Sequence, residues 1–321
     1  MPVLHALAAL LKAVLSWIGR QGTRAVAISI FVGLALPPLA TLLKPIFAAT
    51  LFVLLCLAFL RVDPKAVRHH ASRPGLILAA AAWVMVAVPL LTGAILAMTG
   101  LEAHTPAVAL ALGLQTAAPP ITASPALAAL IGLDAALSLV TLIVCSAIAP
   151  VSAPVLAFLF LGPAATLDPF VLGLRMFAML AGAAIVSLMI RRLAGQIWLD
   201  RHKAEIDGLS VIALFVFAVS FMEGVPAHAV AEPREFVILL VLAFAVAVVL
   251  GGLTALAFAW AGRNVALALA LASACRNMGL MVAAAGSVPD LAWLYMALAQ
   301  FPVYLLPHAL TKLAWRGEGG P

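Results

Sequence analysis

The chain has 321 residues, of which 66% are hydrophobic and 9% charged, with 18 Lys and Arg against 12 Asp and Glu; its mean hydropathy is +1.21. Soluble domains average about 45–50% apolar and 25% charged residues, and so few charges cannot clothe a water-facing surface of this size. Lipid is therefore the solvent expected around most of the chain. A soluble enzyme, a disordered chain, a collagen-like repeat and a β-barrel of alternating strands are excluded.

In chain order, the first twenty residues (MPVLHALAALLKAVLSWIGR) carry a lysine in mid-stretch and no small-residue cleavage site. They read as a retained amphipathic helix over 1–20 rather than a signal peptide. Apolar runs between charged or Gly/Pro-rich breaks then place spans near 24–43, 45–62, 74–98, 104–131, 135–162, 169–192, 208–223, 235–261, 264–286 and 289–312. Only Leu43-Lys44-Pro45 divides the first two.

Charge tests that count. With both termini cytoplasmic, the inner loops hold Lys12, Arg20, Arg24, Arg61, Lys65, Arg68, Arg73, Arg191, Arg192, Arg201, Lys203, Arg263, Lys312 and Arg316. The outer loops hold Glu102, Asp168, Glu232 and Asp290 and a single basic residue, Arg234. This is the positive-inside pattern. The net charge of +6 then faces anionic lipid, and no nucleic-acid partner is needed to explain it.

Two spans do not read as plain helices. The fourth contains Ala117-Ala118-Pro119-Pro120-Ile121-Thr122-Ala123-Ser124-Pro125, where three prolines remove backbone donors and clash with the preceding turn. That span must break near its middle. The ninth contains Ser273-Ala274-Cys275-Arg276-Asn277-Met278-Gly279, with Arg276 13 residues from Arg263 and 14 from Asp290, roughly 20 Å from either end of a straight helix. The interruptions occupy the fourth place in each set of five spans, and the fifth members match in Pro150 and Pro154 against Pro302 and Pro307. An odd number of spans per repeat inserts the second copy upside down. The expected fold is thus all-α: about ten transmembrane helices in two inverted five-helix repeats, with helices 4 and 9 broken and crossing at the midplane, as in secondary transporters.

Most polar residues inside the spans have a bland explanation. Thr122, Ser124, Ser138, Ser146 and Ser273 can each bond the carbonyl of the preceding turn or stitch two helices together. Cys56, Cys145 and Cys275 are too scattered for a disulfide framework and behave by default as small apolar residues. His308 reads as interfacial. Arg276 is different, because a guanidinium at the bilayer centre costs from about 2.5 to over 10 kcal/mol. It is read as the one charge left at the midplane, with every carboxylate in a loop or at a span end. It must face a cavity, a counter-ion or the unwound carbonyls of the fourth span.

The stretch Pro119-Pro120-Ile121-Thr122-Ala123-Ser124-Pro125, then Asp134-Ala135-Ala136-Leu137-Ser138, then Pro150 and Pro154, resembles the bile acid:sodium symporter family. That family has Pro-Gly-Gly-Thr-Ala-Ser-Asn, Asn-Val-Ala-Leu-Ser and Pro-x-x-x-Pro at the same offsets. Its second signature, Glu-x-x-x-Gln-Asn-Ser-Gly, aligns with Ala272 to Gly279. The resemblance spans the chain and implies a transporter of organic anions with sodium. It implies a panel domain (about 24–62 and 169–223) and a core domain (about 74–162 and 235–312) in one transporter unit. By position it implies Thr122, Ser124, Arg276 and Asn277 on the substrate side, and Ser124, Cys145, Ser146 and Ser273 on the ion-coupling side. Pro125, Ala272 and Arg276 stand where the family has Asn, the shared sodium carboxylate and the Gln of the second sodium site. Losing a carboxylate and gaining a fixed cation both repel sodium, so Arg276 is expected to substitute for it.

The expectation is a secondary carrier in a bacterial inner membrane, with a small organic anion and the lipid bilayer as partners, no cofactor, and weak or absent sodium dependence. Efflux of a neutral or thiol-reactive solute such as arsenite, through Cys145 or Cys275, is the alternative within transport; a channel is another. With no interior carboxylate and no paired histidines, an intramembrane enzyme is not expected. The sequence leaves the substrate, the direction of transport and the oligomeric state open.

Overall fold

The structure, a computed structural model, describes residues 13–15, 28–61, 74–161 and 168–306. Apart from residues 13–15, the N-terminal helix expected over 1–20 lies outside the described residues. So do His308 and the basic residues Lys12, Arg20, Arg24, Lys65, Arg68, Arg73, Lys312 and Arg316. Among the described residues the regular structure is helical, without strands. Six helical runs of the described residues are long and apolar enough to cross a membrane: Pro37–Leu60, Pro74–Thr99, Ala135–Leu159, Pro169–Ala194, Lys203–Ala231 and Pro233–Ala257. The chain is an integral membrane protein of the all-α class.

The helices are α1 (28–35), α2 (Pro37–Leu43), α3 (Phe47–Leu60), α4 (Pro74–Ala82), α5 (Val88–Thr99), α6 (Pro106–Ala117), α7 (Ser124–Leu130) and α8 (Ala135–Leu161). They continue as α9 (Pro169–Ala194), α10 (Gln196–Arg201), α11 (Lys203–Phe221), α12 (Val225–Ala231), α13 (Pro233–Ala257), α14 (Arg263–Ala274), α15 (Met278–Ala285) and α16 (Asp290–Leu298). Proline punctuates them. Leu36, Thr105 and Glu232, each preceding a proline, sit at ψ of 69°, 70° and 65°, because the proline ring clashes with a helical residue before it. Pro37, Pro106 and Pro233 then open α2, α6 and α13, where a missing N–H costs nothing.

By their contacts the residues fall into two compact units, Met1–Arg61 with Ala181–Ala231, and Val62–Leu180 with Glu232–Pro321. Helix α9 passes from one to the other. In the first unit, Lys44 pairs with Glu223 at 2.7 Å, Phe47 stacks on Phe217 at 5.1 Å, and Arg61 pairs with Asp207 at 2.7 Å. The segment from α2 to α3 therefore runs antiparallel to α11 along its whole length. Gly33 of α1 packs against Val219 and Met222.

The boundary expected at Leu43-Lys44-Pro45 is therefore corrected. The chain turns at Leu36, and Pro37–Leu60 is one helical run, long and apolar enough to cross a membrane. Pro45 is absorbed at the start of a 3-10 turn, Lys44–Ile46, and Lys44 satisfies its charge by reaching Glu223. The expected outer loop at 224–234 is also mostly helical, as α12.

In the second unit Ile77, Ala80, Leu137, Val140, Phe258, Val265, Ala266 and Leu269 form a buried cluster joining α4, α8 and α14. Trp83 donates its indole N–H to Thr254 at 2.9 Å. Helix α13 buries only a narrow stripe, Leu239, Ala243, Ala247, Leu250 and Thr254, so most of its surface is left for lipid. Helices α8 and α9 approach closely at Gly173, where a Cβ would stand 2.7 Å from the Pro150 carbonyl oxygen and 3.0 Å from Pro154 Cγ. Pro154 has no N–H to give that carbonyl, which leaves it turned toward the gap that glycine opens.

Candidate site at the paired helix breaks

The two interruptions meet. Helix α6 ends at Ala118, whose φ of −65° and ψ of 146° are extended; α14 ends at Cys275, at φ −101° and ψ 92°. The Ile121 N–H donates to the Cys275 carbonyl at 2.8 Å, and the Asn277 N–H donates to the Pro119 carbonyl at 2.8 Å. Pro120 and Arg276 thus sit opposite one another in a two-residue antiparallel bridge. Unwound backbone inside a membrane must be satisfied within the protein, and each break supplies the other.

Arg276 is completely buried. Its Nε donates to the Ser273 carbonyl at 2.8 Å, and its Nη1 donates to the Val84 carbonyl at 3.0 Å and the Ala118 carbonyl at 2.8 Å. Each acceptor is free for a reason written in the sequence. Ser273 would bond the N–H of Asn277 in a continuing helix, but that N–H goes to Pro119. Ala118 precedes Pro119-Pro120, where α6 stops. Val84 lies in a π-helical segment, Trp83–Ala87, in which Val88 N–H bonds Trp83 rather than Val84; the next N–H in line would be that of residue 89, a proline. π-Bulges often mark functional positions. The C-terminal ends of α6 and α14, the negative ends of their dipoles, both close on this guanidinium. No Asp or Glu is buried among the described residues, so the cation is held by carbonyls and not by an ion pair.

The other expected residues are distributed around this centre. Ser124 and Ser138, both fully buried, share a hydrogen bond of 3.2 Å between α7 and α8. Cys145 lies about two turns further along α8 than Ser138, within electrostatic reach of Arg276. Ser146 is buried but turned about 100° from Cys145 around the helix. Thr122 is half-buried in the turn between the two halves of the broken span, and no hydrogen bond among the described residues ties it to the other expected residues. Asn277 caps α15, its Oδ1 accepting from the Leu280 N–H at 3.2 Å. Replacing it with alanine is expected to lower the melting temperature of the detergent-solubilised protein by about 2–4 °C, with serine restoring it. An alanine variant that melts like the wild type would remove the cap from the account.

Sequence reasoning missed several participants. The Val84 carbonyl carried a signal, Pro89 five residues on. Thr141 Oγ1, Ser273 Oγ, Arg276 Nη2 and Tyr304 Oη are buried without a hydrogen-bond partner within the described protein. Gln115 Oε1 accepts from the buried Tyr295 hydroxyl at 2.7 Å, joining α6 to α16. Arg276 is also not the only arginine inside a span. Arg175, in the second turn of α9, donates to the Ala284 and Ala285 carbonyls at 3.4 and 3.2 Å and so closes the C-terminal end of α15.

No protein-family model matches the chain, and no curated protein is significantly similar to it.

Proposed function

We propose that this protein is a secondary active carrier of a small organic anion, a divergent relative of the bile acid:sodium symporters in which Arg276 takes the place of bound sodium. In this reading about ten spans form two inverted five-helix repeats in a bacterial inner membrane, with both termini cytoplasmic. A core domain moves against a panel domain to alternate access. The observation that carries the reading is the fully buried Arg276 at the paired breaks, held by three carbonyls with no buried acid beside it among the described residues. A fixed cation there holds the crossing together as a bound ion would, disfavours sodium by repulsion and offers its remaining edge to an anionic solute. Thr122, Ser124 and Asn277 stand near the same breaks and complete the expected substrate side. No catalytic chemistry is assigned.

A thermal-shift screen of carboxylates and sulfonates identifies the solute, because a ligand bound only to the folded state raises the melting temperature. Counterflow of that solute in proteoliposomes then tests the reading. Saturable exchange is expected; flux that never saturates points to a channel. A second reading, efflux of a thiol-reactive solute such as arsenite, draws on Cys145 and Cys275, both buried, the second directly before Arg276 in sequence. Replacing both with alanine should then abolish arsenite resistance.

A further inference from the structure

Three of the buried polar atoms that lack a partner among the described residues, Arg276 Nη2, Ser273 Oγ and Thr141 Oγ1, lie on or just after helices that pack together, α14 and α8. Ser273 is a single turn before Arg276, and its own carbonyl receives the arginine Nε. Helix α8 packs on α14. On α8, Cys145 is within electrostatic reach of Arg276, and Ser138 bonds Ser124 at the start of α7. Thr141 lies between them, three residues after Ser138 and four before Cys145, on the same face of the helix. Its hydroxyl is therefore carried on the side of α8 turned to the breaks.

The chemistry of these atoms selects a ligand. The carbonyls of Ser273, Val84 and Ala118 engage Nε and Nη1, which leaves both N–H groups of Nη2 without an acceptor among the described residues. Nη2 can only donate, so the missing partner is an acceptor. The Ser273 and Thr141 hydroxyls can donate to the same acceptor. A metal cation is repelled by the guanidinium, and a divalent anion would leave a net negative charge in a low-dielectric interior. One negative charge matches one positive charge.

We propose that Arg276 Nη2, Ser273 Oγ and Thr141 Oγ1 form a binding site for a single small monovalent anion, either a free halide or the carboxylate group of the transported solute. The carboxylate source rests on the transport reading above; the halide source stands without it. All three residues are fully buried, so exchange with bulk solution requires opening of the breaks and is slow relative to surface binding.

The test uses the full chain purified in detergent with sulfate as the only inorganic anion. Melting temperature is measured after prolonged equilibration with sodium bromide, sodium chloride or a series of monocarboxylates at matched ionic strength. Thr141→Val and Ser273→Ala are compared with the wild type, since they delete one hydroxyl each and leave the three carbonyl bonds of Arg276 intact. A rise of a few degrees with halide in the wild type, with apparent affinity falling about tenfold in either variant, establishes a free-ion site. The same pattern with monocarboxylates alone assigns the anion to the solute. No shift with any monovalent anion, or equal shifts in wild type and variants, overturns the site. Should the variants fail to fold, wild-type crystals decide, by anomalous diffraction after equilibration with bromide and by ordinary electron density after equilibration with carboxylate. Bromide or carboxylate density within hydrogen-bond distance of Nη2 supports the proposal, and a water molecule there in both contradicts it. Binding found without transport would overturn the proposed function and leave this site standing.

Discussion

Replacing Arg276 with glutamine is expected to lower the melting temperature by roughly 10 °C and to weaken binding of the anionic solute by about ten- to a hundredfold. The guanidinium satisfies three carbonyls, those of Ser273, Val84 and Ala118, which the two breaks and Pro89 leave without their regular backbone N–H partners. A glutamine amide has two N–H groups on one nitrogen and a shorter reach. At least one carbonyl is left buried and unpaired, at about 1–3 kcal/mol, and the charge assistance of the remaining bonds is lost. Relief of the buried charge offsets part of this, and disrupting such a network still costs about 3–5 kcal/mol. At about 2–4 °C per kcal/mol for a chain of this size, that is the stated fall. Arg276→Lys separates charge from geometry: it keeps the cation and part of the anion affinity while satisfying fewer carbonyls. If Arg276→Gln kept wild-type anion affinity, the arginine would be a structural clamp alone.

Gly173→Val is the second large effect expected. A Cβ at this position meets the Pro150 carbonyl oxygen at 2.7 Å and Pro154 Cγ at 3.0 Å, and the first of these is backbone inside a long helix. It cannot swing aside as a side-chain tip could, so α8 and α9 must separate. Overpacking of this kind costs about 1–3 kcal/mol, and the branched Cβ of valine places the variant at the upper end. Gly173→Ala should be milder, since alanine regains up to about 1 kcal/mol of helix propensity. Melting temperatures of the two variants, ranked glycine above alanine above valine, check the close approach. A valine variant as stable as the wild type would contradict it.

What the sequence disclosed and what it hid follow from physical causes. The breaks at Pro119-Pro120 and at Arg276 were legible because proline chemistry and the cost of a buried charge hold in any fold. The partners of Arg276 were less so. The carbonyl of Ala118 was foreseeable, as the unwound backbone of the fourth span. The carbonyl of Val84 comes from a helix that reads as continuous, and only the pairing of a π-segment with Pro89 frees it. Thr141 resembled every other hydroxyl that can bond its own helix. Arg175 escaped notice because it lies near a span end, where a long side chain reaches the interface; here it reaches carbonyls of α15 instead. Lys44 misled in the opposite sense. A charge beside a proline reads as a loop, yet Glu223, distant in sequence, lets it sit along a continuous helical run.

The central claim is that a fixed arginine does the work of a coupling ion. It is tested most directly by uptake of the anionic solute into proteoliposomes with sodium outside compared with choline at equal concentration. The account predicts equal initial rates in the two media for the wild type, together with loss of uptake in Arg276→Gln. A steep sodium requirement in the wild type would contradict it.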